Sequence, residues 1–164
     1  MNLKKRESLH DDLEKIRSVA NYQFGRGVGT ILFPKDVAIS FSQRTGRIRY
    51  ILLKSKRLAT MRPTDGLFSL SIRGAKRIAT ARGLARCFVA IKNDVSEFIA
   101  AGGDVFAVHV LEADNDIRAS DEIIVVDEAG KVLAVGRAVL SANEMKAFKR
   151  GVAVKVRRGI MEES

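Results

Sequence analysis

Few side chains in this sequence are of types that could do chemistry, and their spacing argues against most of it. The soft metal ligands are His10, His109 and Cys87. The two histidines are too few for a metal site, since a structural zinc takes four ligands. One thiol also permits no internal disulfide, which fits a reducing compartment. Cys87 leads the apolar run Phe88-Val89-Ala90-Ile91 with no activating partner beside it, and reads as structural. His109 sits in an apolar stretch where packing is the expected role. Asp114 and Asp116 imitate the paired carboxylates of an acid–base site, but the surrounding residues read as a solvated acidic loop. Gly25-Arg26-Gly27-Val28-Gly29 lacks the spacing of a dinucleotide cradle and follows no strand. No catalytic residue, metal ligand or cofactor is expected.

The cations are more informative. In Lys146-Ala147-Phe148-Lys149-Arg150-Gly151 they flank an aromatic, and in Lys155-Val156-Arg157-Arg158 the strand period puts Lys155 and Arg157 on one face. Such an edge either contacts a phosphate backbone or keeps a solvated strand from pairing with another chain. Arg44, Arg47, Arg49, Lys54, Lys56 and Arg57 fall together on one predicted hairpin, with Tyr50 nearby. Arg73, Lys76 and Arg77 lie three and four apart on a predicted helix and would extend the same patch.

These residues need elements to hold them. A helix is predicted over 8–20, capped by Ser8, with Leu9, Leu13, Ile16 and Ala20 as its buried stripe. Glycines 25, 27 and 29 mark a turn or close backbone approach. Strands are predicted over 37–42, 48–53 and 58–61. Residues 68–72 read as strand or as the lead into a helix over 73–80, and residues 81–86 as a linker. Beyond it come a buried strand at 88–91 and a helix capped by Asp94 that ends at Gly102-Gly103. Strands follow over 105–108, 122–126, 132–140 and 152–156. Asp127 to Gly130 makes a tight hairpin, and Ser141 caps one helical turn holding Met145 and Phe148. Many short strands with one early helix argue a small barrel.

The length, 164 residues, fits one domain or two small ones. Hydrophobic residues make up 46%, enough for a core, but aromatics only 6%, so the core must be aliphatic. The net charge of +10 points to a polyanionic partner. Residues 1–83 hold 18 Lys/Arg against 6 Asp/Glu, a net of +12, and residues 84–164 hold 11 against 13, a net of −2. This contrast predicts a basic domain at 1–83 and a second domain at 84–164. The N-terminus carries no apolar core of a signal peptide, and no apolar run reaches the roughly 20 residues that span a bilayer. A cytoplasmic protein is expected.

The second half resembles the PUA domain, an RNA-binding barrel. The match is carried by residues 102–110 (GGDVFAVHV), 116–123 (DIRASDEI), 132–138 (VLAVGRA) and 149–159 (KRGVAVKVRRG). Ala119-Ser120 departs from the family's usual Pro-Gly turn. The first half resembles the domain preceding PUA in archaeal tRNA-guanine transglycosylases and archaeosine synthases, on residues 20–27 (ANYQFGRG), 44–50 (RTGRIRY) and 58–68 (LATMRPTDGLF). The resemblance implies an α+β protein, a small α/β domain followed by a PUA barrel. It also implies that the loop of Gly103, Asp104, Val105, Phe106 and Ala107 meets RNA near a tRNA 3′ end, with Asp104 accepting from a base or ribose. Arg137, Lys149, Arg150, Lys155, Arg157, Arg158, Arg44, Arg47 and Arg49 complete the expected RNA-binding set. The transglycosylase's catalytic barrel and its three-Cys, one-His zinc site find no place here, nor does the synthase's amidotransfer cysteine. The expectation is a non-catalytic RNA-binding protein that grips the tRNA acceptor end and assists archaeosine modification beside a separate catalytic chain. The alternative is a free-standing RNA-binding factor in ribosome assembly or translation.

Overall fold

The computed structural model describes the backbone of residues 3–163 and the side chains of residues 9–163. Helix α1 spans Leu3–Phe24. It starts five residues before Ser8, which therefore lies inside the helix instead of capping it; the Ser8 side chain lies outside the described residues. Ile16, Ala20 and Phe24 are fully buried, but Leu9 is exposed, because α1 meets the core only from Leu13 onward. Gly25 and Gly27, at φ 138° and 92°, then turn the chain into α2 (Val28–Leu32). A Cβ on Gly25 would stand 2.1 Å from the Leu84 carbonyl oxygen, so the predicted close approach is real and is made by the 82–84 turn.

A four-stranded antiparallel sheet follows, in the order β1 (Ala38–Phe41), β2 (Ile48–Leu53), β3 (Lys56–Met61), β4 (Phe68–Leu70). Residues 68–72 resolve both ways: β4 ends at Leu70 and Ser71 caps α3 (Ile72–Ala79), its hydroxyl accepting from the Gly74 N–H at 3.1 Å. Helix α3 buries Ile72, Ala75 and Ile78. They join Phe24, Leu32, Phe33 and Phe68 in the first core, where Phe33 and Phe68 meet edge to face at 5.1 Å.

The second half forms a six-stranded, nearly closed barrel sheet in the order β6 (Val105–Phe106), β10 (Val152–Gly159), β9 (Val132–Ala138), β8 (Glu122–Val126), β5 (Phe88–Ile91), β7 (Val110–Ala113). All neighbours are antiparallel except β5 and β8. Two short helices, α4 (Ser96–Ala100) and α5 (Ala142–Ala147), close it. Asp94 does not cap α4; it sits in a 3₁₀ turn over Asn93–Val95, and Val95 is the cap. Ser141 and Glu144 form the full capping box of α5. The run 105–108 is strand only at 105–106, and His109 ends a 3₁₀ turn with its ring edge-on to Phe106. Ser120 takes φ 78°, the conformation a glycine holds at no steric cost.

The two halves share a core. Phe88, Ala90, Ile124, Val126, Val132 and Val135 pack with the first half, while Val89, Ile91, Ile123, Val125 and Ala134 fill the barrel. Strands buried on both faces read as continuous apolar runs, which explains Phe88-Val89-Ala90-Ile91 and Ile123-Ile124-Val125-Val126. Residues 82–86 are docked as well: the Arg86 N–H bonds the Phe24 carbonyl and its guanidinium bonds that of Tyr22.

Polar side chains seal the free edge of β4. The Gln23 amide both accepts from the Phe68 N–H (2.7 Å) and donates to the Phe68 carbonyl (2.8 Å). Two residues on, Glu122 accepts from the Leu70 N–H while Arg157 donates to the Leu70 carbonyl at 2.7 Å and to Glu122 at 2.9 Å. An open sheet edge is thereby satisfied without a further strand.

Candidate nucleic-acid interface

The glycine loop is built by the end of α4. The Gly102 N–H bonds the Ile99 carbonyl and the Gly103 N–H the Phe98 carbonyl, both at 2.9 Å, with Gly102 at φ 107°. This left-handed close needs Gly102. Gly103 is needed for a different reason: a Cβ there would lie 2.3 Å from the Phe98 ring. The loop's side chains then divide. Val105 and Ala107 are buried in the barrel and leave only backbone for a ligand, whereas Phe106 is 40% exposed. Asp104 is spoken for. One carboxylate oxygen accepts from the Val156 N–H at 2.9 Å, and the other faces the Lys155 ammonium at 3.4 Å. It pins the loop to β10, a role that local sequence does not reveal.

Beside the loop lies the segment between α5 and β10. The Ala107 N–H bonds the Gly151 carbonyl, and Val152 pairs with Phe106, so residues 148–151 abut the loop's exposed end. Phe148, which the sequence placed inside a helical turn, is the C-cap of α5 and stands 46% exposed. Lys149 and Arg150 are exposed next to it, and no hydrogen bond or ion pair ties either to the described residues. A rim with two outward aromatics and two free cations is suited to bases and phosphates together.

Along β10, Lys155 and Arg157 share the outward face as predicted, with a bulge before Arg158. Arg137 lies between Glu122 and Lys155 in the strand register. Lys155 and Arg137 are exposed, but Arg157 is largely committed to the fully buried Glu122 side chain. Of the cations on this strand, Arg157 is structural.

The first-half cations do not form one patch. Arg44 and Arg47 sit in the β1–β2 turn, and Lys54 in the β2–β3 turn, at opposite ends of the six-residue β2; at about 3.3 Å per residue the two turns lie roughly 20 Å apart. Arg44, Arg47 and Arg49 line a cleft with Arg62, while Lys54, Lys56 and Arg57 face α3. Arg49 and Arg57 both stack on Tyr50, at 5.1 and 5.4 Å from the ring centre.

A second cleft, of about 170 Å³, opens where the halves meet, beside Glu122. Arg62, Arg86, Arg137, Asp65 and Asp116 line it. Burial pushes the Asp65 carboxyl up, but the Leu67 N–H and the Arg62 guanidinium outweigh it and hold it below the ordinary value. Asp114 behaves otherwise: burial raises it, and its carboxylate accepts from the Phe88 N–H at 2.8 Å. It is a half-buried strand cap, where the sequence suggested a solvated loop; Asp116 is the exposed member. Burial, reinforced by Asp114 and Glu122, pushes the Cys87 thiol far above its usual range, so it is no nucleophile. Sequence reasoning missed Gln23, Arg62 and Glu122. Glu122 alone left a trace, an acid opening an otherwise apolar run.

Known proteins share this architecture. Residues 14–82 match the patch-forming domain C2 of tRNA-guanine transglycosylase, and residues 88–160 match the PUA domain. The tRNA-guanine(15) transglycosylase of Methanothermobacter thermautotrophicus is 41% identical over 153 residues, 93% of this chain. The chain corresponds to its C-terminal portion and spans 23% of its length. Among solved structures, a hypothetical protein of Pyrococcus horikoshii is 26% identical and superposes with TM-score 0.71 over 91% of this chain and 90% of its own. A conserved PUA domain protein of Thermoplasma acidophilum, 20% identical, shares the fold with TM-score 0.60 over 97% and 91%.

Proposed function

We propose, because the chain belongs to the family that joins the patch-forming C2 domain of tRNA-guanine transglycosylase to a PUA domain, that it is a non-catalytic RNA-binding protein. Its ligand is tRNA, held by the acceptor end, and its role is to assist archaeosine modification in the cytoplasm beside a catalytic chain. The supporting observation is the rim of the glycine loop, where exposed Phe106 and Phe148 accompany Lys149 and Arg150, both exposed and in no ion pair among the described residues. Aromatic rings take unpaired bases on their faces, and the cations neutralise the phosphates between them. The loop backbone at Gly103 approaches closely because no Cβ intervenes. The mechanism is positioning: the barrel fixes the RNA end, and the basic first domain extends the contact. The domains at 1–83 and 84–164 act as one unit in this reading, because they share a core and because Glu122 and Arg157 of the second bind the Leu70 backbone of the first.

The test is binding of tRNA with and without its terminal CCA. Affinity should fall by at least about tenfold when the unpaired end is removed, given roughly 1–3 kcal/mol per stacked base. Equal affinity for both would refute acceptor-end recognition. Enrichment of ribosomal RNA over tRNA after crosslinking would favour the ribosomal reading instead. The accessory role predicts faster transglycosylation by a catalytic chain when this protein is added.

A further inference from the structure

We infer that two copies of this chain pair through the free edge of β1, antiparallel about a twofold axis, with Ile39 of each copy opposite Phe41 of the other. The two four-stranded sheets thereby become one continuous sheet. Nothing in this pairing depends on RNA.

The first sheet has two edges, and the fold treats them differently. On β4, Phe68 and Leu70 turn their N–H and carbonyl outward, and Gln23, Glu122 and Arg157 take all of these groups. The register carries the same alternation across the sheet. The Ser71 N–H bonds the Leu58 carbonyl and the Arg62 N–H the Leu67 carbonyl, so Leu58, Thr60 and Arg62 point toward β4. Ala59 then points toward β2, where it pairs with Ile51. Tyr50 and Leu52 therefore point on toward β1, where they face Ser40 and Ala38. Ile39, between those two, is left with its N–H and carbonyl directed away from the sheet. So is Phe41, because the next residue, Ser42, donates inward to the Arg47 carbonyl at 2.8 Å. No side chain or loop among the described residues takes these outward groups.

Charge or proline blunts many natural edges, and residues 37–42, Val-Ala-Ile-Ser-Phe-Ser, carry neither. The bulge in this hairpin places its extra residue, Arg49, on β2, so β1 itself is unbroken. Register selects a second copy as the occupant. Setting Ile39 opposite Phe41 uses both outward residues of both copies, with Ser40 opposite Ser40 on the axis. Ile39 opposite Ile39 would waste Phe41 on Val37, whose N–H already bonds the Pro34 carbonyl. Phe41 opposite Phe41 would set Ile39 against Gln43, which lies in a turn. The favoured register also matches charge. Continued past the strand ends, it sets Asp36 of each copy opposite Arg44 of the other. Both are exposed, and neither is in an ion pair among the described residues. It covers apolar surface as well. Phe41 is 45% exposed, and Ile39 packs against the first core, so laying one beside the other continues the apolar layer across the axis. The contact is self-complementary and closes at two copies.

The experiment is analytical ultracentrifugation of the nuclease-treated full chain from micromolar to millimolar concentration. A reversible monomer–dimer equilibrium with no larger species is expected. Ile39→Pro removes an outward N–H from each copy and leaves the bonds to β2 in place. The dimer dissociation constant should rise by about tenfold or more, with an unchanged thermal transition excluding misfolding. Phe41→Lys puts a charge on the same edge at an exposed position and should act likewise; it keeps the test open if Ile39→Pro does not fold. Asp36→Arg and Arg44→Asp should each weaken the dimer by about threefold or more, since each change acts at both ends of the interface. The charge-swapped double variant should recover it. A chain that stays monomeric throughout overturns the pairing and leaves the edge to a strand of another protein. A dimer that tolerates both Ile39→Pro and Phe41→Lys, or growth beyond two copies, overturns it too. Failure of the swap to restore what the single variants lose overturns the register.

Discussion

The Arg157 guanidinium closes on the Glu122 carboxylate within the second half, and together they bind the N–H and carbonyl of Leu70 in the first. The Glu122 side chain has no exposure and Arg157 retains 38%. Removing one partner of a buried pair strands the other charge. Arg157→Ala is therefore expected to cost about 2–3 kcal/mol, below the usual range for buried pairs because water reaches the Arg157 end. Glu122→Gln should cost a comparable amount, and the double variant less than the sum. Urea unfolding of the four proteins measures the coupling. Additive losses would show that the clamp contributes nothing as a pair. Charge reversal at Arg157 is then a stability experiment first and an RNA experiment second.

That pair also marks where the sequence stopped being legible. The strand runs at 88–91, 122–126 and 132–140 (the last of which ends at Ala138), the Ser141 cap and the glycine turn at 102–103 all rest on local chemistry, and local chemistry can be read along a chain. So can the expectation that Lys155 and Arg157 share a face. What Arg157 faces is set by a contact 35 residues away in Glu122 and 87 residues away in Leu70. No periodicity encodes that. The same holds for Asp104, read as a ligand group, whose partner is the backbone of β10. The cation hairpin was legible in composition but not in space, because the two ends of β2 point to different clefts. The charge contrast between residues 1–83 and 84–164 was legible in the sequence, while the core that the two stretches share was hidden in strands apolar on both faces.

Ser120 is a second test of backbone chemistry. It occupies φ 78° in the turn before β8 and is exposed, with its N–H on the Ala138 carbonyl at 2.7 Å. A left-handed residue with a Cβ costs roughly 1–2 kcal/mol. Part of that gain is lost to the greater freedom of glycine in the unfolded chain. Ser120→Gly should stabilise the protein by about 0.5–1 kcal/mol, read as a higher urea midpoint at unchanged slope. A lower midpoint would mean that the hydroxyl holds the turn.

Cys87 reports on the seam between the halves. Its thiol is buried, and its ionisation is pushed up by burial and by the nearby Asp114 and Glu122. A raised folded-state value means that the native protein keeps the proton which the unfolded chain releases above pH 9.0. Stability should therefore fall as pH rises beyond that point, and Cys87→Ala should flatten the decline. Labelling by a thiol reagent at neutral pH should proceed only as fast as the protein opens. Rapid labelling of the native protein would place Cys87 at a surface.

The rim of the glycine loop makes the sharpest separation between the two kinds of RNA contact. Phe106 is held by the pairing of β6 with β10, and its ring is turned outward beside His109. Replacing it by alanine should leave the barrel core intact, because Val105 and Ala107 supply the buried contacts on either side. If bases stack on it, Phe106→Ala should weaken binding of unpaired RNA by about 1–3 kcal/mol per stacked base, with no change in salt slope. Lys149→Glu should act in the opposite manner. It touches no aromatic function and should lower the slope by about 0.7, the value of one phosphate contact on a single strand. Titrations at several salt concentrations distinguish the two. Parallel salt lines for Phe106→Ala and a shallower line for Lys149→Glu are expected. A shallower line for Phe106→Ala would mean that the ring positions a cation and stacks on nothing.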